Sequence, residues 1–400
     1  MTAEVGILTQ RGLALAADSA VTFNLPNGER NTLNDANKLF TLYDSHYIGI
    51  MIYNNANFMG IPWELIINSF KERLGNEVKK TVRDYVECFK KYMASLKIYR
   101  DVFEKIMVTN YAKILANTLS NINSDDPKEF SDVEEQIGNL EARFESESLV
   151  KRNLEDFSSK YGKLIQQVFE SKYGAYLQEL APKLIKLVYA YICSSEMNFD
   201  TLSGVVFAGY GAEELFPTLI QLEFDGRFFG KIKVKEVRKD NVDPISGNVG
   251  NAVVVPLAQD DMIQTILLGI DPQLQEIRQK GLYGVANQLV KDAASYMPNQ
   301  EAYNDYRQKA EDAVERYDNY FENKVNEIVT SPFLSMLGAF SIDDIGNMAR
   351  TLVSLTSFKR KYSGNIRNVG GPIDVLVISR GDGPVWLSNK KMRTNNTETF

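Results

Sequence analysis

Thr2, Asp18 and Lys38 are the residues near the start of the chain whose types could do chemistry together. Removal of Met1, which a small second residue permits, makes Thr2 N-terminal. Its α-amine, with a reference pKa near 7.7 to 8.0, is then largely ready to accept a proton at neutral pH. It lies within reach of the hydroxyl on the same residue, so nucleophile and base are combined in one residue. A hydroxyl nucleophile is helped by a fixed cation, and a buried lysine needs a carboxylate to hold its charge and position. Lys38 and Asp18 are of the types that fill those two roles. Other routes to catalysis are thin. His46 is the only histidine, so any Ser-His-Asp or Cys-His mechanism would have to run through it, and its place in Asp44-Ser45-His46 reads as a surface turn. Cys88 and Cys193 lack metal spacing and read as packed small hydrophobes. No metal and no organic cofactor is expected. Gly209-Tyr210-Gly211 and Gly370-Gly371 lack the strand, spacing and helix context of nucleotide loops and read as turn glycines.

The elements that would position these residues come in blocks. Ala3 to Leu8 and Leu13 to Asp18 are short apolar segments around Thr9-Gln10-Arg11-Gly12, a β-hairpin that places Thr2 and Asp18 at one end. A polar, turn-rich loop is expected from Asn24 to Asn34, with Asn27-Gly28 as its tip. Lys38 to Leu42 and Tyr47 to Ile52 form a second hairpin turning at Asp44 and Ser45. Pro62 stands at a first helical position before Trp63, Ile66, Ile67 and Phe70 at helical spacing. Strand character returns at Gly204 to Gly209, Leu219 to Phe224 and Ala252 to Leu257, followed by a helical Met262, Ile266, Ile270 pattern. A helix over Ile342 to Lys361 precedes strands at Ile373 to Ser379 and Pro384 to Leu387. Strand pairs outnumber single strands with crossovers, so an α+β protein of sheets between helices fits better than a doubly wound sheet.

Composition marks the boundaries between blocks. From 76 to 180 there are 16 basic and 18 acidic residues and one proline, Pro127, and Tyr85, Phe89 and Tyr92 recur at helical spacing. The expected organisation is therefore 1–75 as the first half of the core, 76–180 as a helical insertion and 181–270 as the core continued. A second helical insertion spans 271–340, and 341–400 carries the core helix, the last strands and a tail. The 400 residues hold 45 Lys and Arg against 52 Asp and Glu. The acidic stretch 125–147, nine acids against Lys128 and Arg143, accounts for the whole net charge of -7. The rest of the chain is neutral, so no global basic field points to nucleic acid or an anionic membrane. No targeting segment and no apolar run of membrane-spanning length are read, and the expected location is the cytoplasm.

The stretch Thr2-Ala3-Glu4-Val5-Gly6-Ile7 followed by Gly12-Leu13-Ala14-Leu15-Ala16-Ala17-Asp18-Ser19-Ala20-Val21-Thr22 closely resembles the start of catalytic proteasome β-subunits and their bacterial relatives. In that family a processed N-terminal Thr is followed by an Asp sixteen residues later, the spacing of Thr2 and Asp18. Asn37-Lys38-Leu39 resembles the strand that bears the family's catalytic lysine. Gly204 to Gly226 and Val369-Gly370-Gly371-Pro372-Ile373 resemble later core segments, and the two helical blocks lie outside the likeness.

The resemblance implies a four-layer αββα N-terminal nucleophile (Ntn) hydrolase sandwich with two helical insertions, acting as a threonine-type peptidase. Thr2 Oγ would attack an amide carbonyl and form an acyl-ester, Lys38 would stabilise the alkoxide, and Asp18 would orient Lys38. The backbone N–H of Tyr53 falls at the oxyanion position, where the family has a glycine. Met51 and Val21 are assigned to the substrate pocket, and Asp260 and Ser19 are candidate supporting residues. Asp260 also reads as an ordinary helix N-terminal acid. The supporting Asp and Ser of the family align with Ile366 and Val369, so the surroundings of the nucleophile are rewritten. The implied partners are a peptide or protein substrate, further copies of the chain in a homo-oligomer, and an unfoldase or regulatory protein, with no nucleic acid and no membrane. Two other readings stay open: a catalytically inactive proteasome-like structural or interaction protein, and a small-amide hydrolase.

Overall fold

The computed structural model describes residues 3–24, 30–33, 36–43, 45–96, 101–122, 127–145, 153–198, 201–243, 251–258, 260–362 and 370–390. The chain is of the α+β class. Its first strands are β1 (Ala3–Thr9), β2 (Gly12–Asp18), β3 (Val21–Asn24), β4 (Arg30–Leu33), β5 (Leu39–Thr41), β6 (Ile48–Asn54), β7 (Asn57–Phe58) and β8 (Ile61–Pro62). Six helices follow: α1 (Trp63–Leu74), α2 (Val82–Ser95), α3 (Asp101–Thr118), α4 (Pro127–Glu145), α5 (Leu154–Tyr173) and α6 (Leu177–Cys193). Then come β9 (Ser203–Gly209), β10 (Thr218–Phe228), β11 (Lys231–Asn241) and β12 (Ala252–Ala258). Helices α7 (Asp261–Leu268), α8 (Pro272–Ala293), α9 (Gln300–Val325), α10 (Ser331–Ala339) and α11 (Ile342–Tyr362) precede β13 (Ile373–Ser379) and β14 (Gly383–Ser388).

The chain divides into two compact units. The first holds residues 1–39, 215–218 and 241–400. Its five-stranded sheet runs in the order β12-β1-β2-β13-β14, with every neighbouring pair antiparallel. Strand alternation sends Ala3, Val5 and Ile7 of β1 into one core with Ala14 and Ala16 of β2 and Val375 and Val377 of β13. Ile263, Leu337, Ile345, Ala349, Leu352 and Val353 from α7, α10 and α11 cover that face. The small side chains of β1 and β2 are what let α11 lie close to the sheet. The hairpin of β1 and β2 turns through Gln10 and Arg11, and Ile373 pairs with Asp18 on the far side of β2. The polar loop expected from Asn24 to Asn34 contains instead a two-stranded hairpin, Val21 pairing with Leu33 and Asn24 with Arg30. Its expected tip, Asn27-Gly28, lies outside the described residues. Threonines and Val21 alternate with polar residues too briefly to announce a strand by composition.

The second unit, residues 40–214 and 219–240, has a sheet in the order β11-β10-β9-β6-β5. Trp63, Ile66, Ile67 and Phe70 of α1 pack with Tyr85, Val86 and Phe89 of α2 on Ile50, Phe207, Leu222 and Phe224 of the sheet. Helix α2 begins with a Thr81–Asp84 capping box. Helices α3 to α6 form a second core of their own, with Phe157, Tyr161, Phe169, Leu184 and Val188 buried at its centre. This packing draws the boundary differently from the charge content. Helix α2, inside the expected insertion 76–180, belongs to the sheet's own helical layer, and α6 runs past residue 180 as part of the bundle. Charge density marked exposed faces, whereas membership is decided by the apolar faces.

Two further expectations are corrected. Strand β11, absent from the expected elements although KIKVKE alternates with the two-residue period of a strand, joins β10 through Phe229 and Gly230 with φ of 52° and 78°. That is the mirror-image two-residue turn that fits the twist of a hairpin. His46 is not a surface turn residue: it is fully buried. Its Nε2 lies 2.8 Å from the Gly75 carbonyl and must donate there, so its Nδ1 accepts from the Tyr85 hydroxyl at 2.7 Å. A short polar segment gave no sign that the ring would be used to tie the end of α1 to α2.

Candidate active site

The first unit brings Asp18 and Lys38 together. Asp18 is the last residue of β2 and Lys38 the residue before β5, and Lys38 Nζ donates to Asp18 Oδ1 at 2.5 Å. A second carboxylate joins them: Glu4 Oε1 lies 3.1 Å from the same Nζ. Glu4, Asp18 and Lys38 are all buried. Glu4 is on the face of β1 opposite Ala3, Val5 and Ile7, which is how a charged residue sits in a strand whose every position is buried. An ion pair removed from water is tolerated only when its remaining hydrogen-bonding capacity is met. For Asp18 it is met by backbone donors, Ala3 N–H to Oδ1 at 3.3 Å and Gly370 N–H to Oδ2 at 2.9 Å. The hydrogen bond from Ala3 also fixes the backbone immediately after Thr2 to the carboxylate that holds Lys38.

A second polar cluster supports the segment that carries Lys38. Ala36 N–H donates to the Ser19 carbonyl at 3.1 Å, and Lys390 Nζ donates to the Ala36 carbonyl. Lys390 Nζ also reaches Ser19 Oγ at 3.2 Å and stands 3.7 Å from Asp374 Oδ2. Its own backbone N–H donates to Asp374 Oδ1 at 2.8 Å. Ser19 Oγ donates to the Pro372 carbonyl at 2.8 Å. Ser19 thus joins the Gly370-Gly371-Pro372 turn to the strand end that bears Asp18. The turn needs glycine at 371, where φ is 81°, and Gly370 supplies an N–H to the site rather than acting only as a turn.

The other expected residues are placed as follows. Thr2 lies outside the described residues, as do Ile366 and Val369. Val21 is in β3, with its side chain likewise outside the description. Asp260 occupies the N-cap position of α7, two residues after Ala258, the partner of Ala3 in the sheet. Its side chain makes no capping hydrogen bond: Oδ2 accepts from Gln264 Nε2, and its carbonyl accepts the Gln264 N–H at 2.7 Å. Met51 and Tyr53 belong to β6 of the second unit, both buried. The Tyr53 ring lies across Gly204, where a Cβ would come within 1.8 Å of it. Its hydroxyl accepts from Gln221 Nε2 at 2.7 Å and donates to Glu223 Oε1 at 3.2 Å.

Sequence reasoning missed Glu4, Asp374, Lys390 and the Gly370 N–H. The only signal was Glu4 itself, a carboxylate two residues after Thr2 in an otherwise apolar strand, which alternation assigns to the same face as Thr2. Asp374 and Lys390 carried none, because their roles depend on strand register across more than 350 residues.

Among the described residues, no group of three or more His, Cys, Asp or Glu is arranged to hold a metal ion. None of the described helices is long and apolar enough to cross a membrane. Comparison of the sequence with protein-family models and with curated proteins finds no match.

Proposed function

We propose that the chain is a proteasome-like Ntn hydrolase of the four-layer αββα type, a threonine peptidase whose nucleophile is Thr2. The observation that carries this reading is the buried Lys38–Asp18 pair, with Asp18 accepting the N–H of Ala3. That arrangement sets a fixed cation and its orienting carboxylate beside the backbone that follows Thr2. The fold supports it coarsely, since each unit contains one five-stranded sheet with helices on one face.

Cleavage of the Met1–Thr2 bond frees the amine. Thr2 Oγ attacks the amide carbonyl as the amine takes its proton, the leaving amine departs with a proton, and water then hydrolyses the acyl-ester. Lys38 stabilises the alkoxide. A peptide epoxyketone, which needs both a hydroxyl and a free amine on one residue, tests the reading. Intact mass and N-terminal sequencing are expected to show one adduct on Thr2, lost in Asp18→Asn. A free N-terminal Thr2 that never reacts would overturn the peptidase reading in favour of a scaffold with this fold. Turnover of small amides with no turnover of peptides would instead assign a small-amide hydrolase.

A further inference from the structure

The helical hairpin of α8 and α9 in the first unit has one side buried between its helices and another left open. On α8, Gln275, Gln279, Leu282, Ala286 and Val290 turn inward, spaced three and four residues apart. One residue before most of these runs a second row at the same kind of spacing, Leu274, Ile277, Val285 and Leu289, each more than half exposed. Gly281 continues that row with nothing within 4 Å of an added Cβ. Helix α9 has a matching open row of Tyr306, Ala313, Tyr317 and Tyr320. Arg278 sets the level of the two helices: it pairs with Asp318 at 2.8 Å and lies over the rings of Phe321 and Tyr317. Tyr317 therefore borders the same side of the hairpin as Arg278, next to the open row of α8. Helical periodicity in two antiparallel helices puts both rows on one face.

We infer that this face binds the same face of a second copy of the chain, forming an antiparallel four-helix bundle. Size is the first argument. Helix α8 has 22 residues, about 33 Å of length, and two helices side by side are about 20 Å wide. The face is thus about 650 Å² per copy, or about 1,300 Å² for the pair, within the range of specific interfaces.

Shape is the second argument. A two-fold axis in the interface and parallel to the helices sets α8 of one copy on α9 of the other at unchanged level. Each helix is then antiparallel to both neighbours, the up-down arrangement of four-helix bundles. The Arg278–Asp318 level brings Gly281 opposite the partner's Tyr317 and Val285 opposite the partner's Ala313, and in these two pairs a large side chain meets a small one. Surface charges do not oppose the contact, because Arg307 with Glu311 and Lys309 with Asp305 are already paired along α9. The inference is independent of the chemistry proposed for Thr2.

Sedimentation of the full chain at about 10 to 100 μM tests it, these being ordinary concentrations for a dimer of this area. The expected result is a dimer, with Ile277→Glu/Val285→Glu monomeric and unchanged in helicity by circular dichroism. Its dissociation constant should rise by at least about 100-fold, since two charges would be placed in a buried apolar contact. Mixing separately purified Val285→Cys and Ala313→Cys variants under oxidation should yield a disulfide-linked heterodimer absent from either variant alone. A monomeric wild type would overturn the inference and leave the face to a different protein. A dimer that survives the double substitution, or a dimer whose mixed cysteine variants form no heterodimer, would overturn it as well.

Discussion

Lys38→Met takes away a cation that two buried carboxylates contact, Asp18 at 2.5 Å and Glu4 at 3.1 Å. Removing one partner of a buried ion pair costs about 3 to 5 kcal/mol. Here the two carboxylates share one Nζ and are close neighbours, so the loss should also expose their mutual repulsion. Like charges about 5 Å apart repel by about 3 kcal/mol at an effective dielectric near 20. Protonating one of them relieves that repulsion, which gives the variant a pH signature. In Lys38→Met, burial and repulsion raise a carboxyl's folded pKa above its unfolded value of about 4. Between those two values the folded state holds a proton that the unfolded state has released. The variant therefore gains stability as pH falls from neutrality toward the unfolded value, by up to about 1.4 kcal/mol per pH unit. Urea denaturation followed by tryptophan fluorescence reads this, since Trp386 of β14 reports the same sheet. Glu4→Gln combined with Lys38→Met should recover part of the loss and abolish the added pH dependence. A Lys38→Met variant within about 1 kcal/mol of wild type with an unchanged pH profile would refute the role of Lys38 as the charge that holds Glu4 and Asp18.

Three further predictions concern the second unit. Burial lowers Lys233 to a pKa of about 8, outweighing Asp225 at 3.6 Å. Between pH 8 and 10 the folded state has lost a proton that the unfolded state keeps, so stability should rise by about 2 kcal/mol from pH 7 to 9.5; Lys233→Met should flatten that rise in urea titrations, and identical slopes would contradict the assignment. Gly204→Ala drives a methyl into the Tyr53 ring and should lower stability by about 1 to 3 kcal/mol. Thermal melts should show that loss shrink when Tyr53→Ala is added, and an additive pair would speak against the contact. His46→Phe leaves the Gly75 carbonyl and the Tyr85 hydroxyl without the ring nitrogens they meet at 2.8 and 2.7 Å. A loss of about 1 to 3 kcal/mol is expected by chemical denaturation, and a neutral result would remove the tie between α1 and α2.

The local grammar of the chain was legible from its residues. Alternating small apolar side chains around Gln10 and Arg11 announced β1 and β2. Pro62 with Trp63, Ile66, Ile67 and Phe70 announced α1, and the residue types of Asp18 and Lys38, with the resemblance, pointed to a pair that the fold does form. The first two depend on contacts a few residues apart, or on a turn that brings two adjacent strands together. Charge content was a poorer guide, because it reports which faces meet water and says little about which core an element joins. Helix α2 packs in the sheet's core and α6 in the bundle's core, a division that charge content does not show. His46 looked exposed in the sequence because nothing local shows that Gly75 and Tyr85 converge on it.

What surrounds Lys38 was decided by tertiary structure. Glu4, Gly370 and Asp18 meet because β1, β2 and β13 adopt one register, and Lys390 reaches Ala36 and Ser19 only once β14 has brought the chain back along the sheet. A single carboxylate in an apolar strand states that some counter-charge must exist, since burying it alone costs too much. Which cation answers it is a property of strand order, and strand order is set by how the whole sheet buries its apolar face.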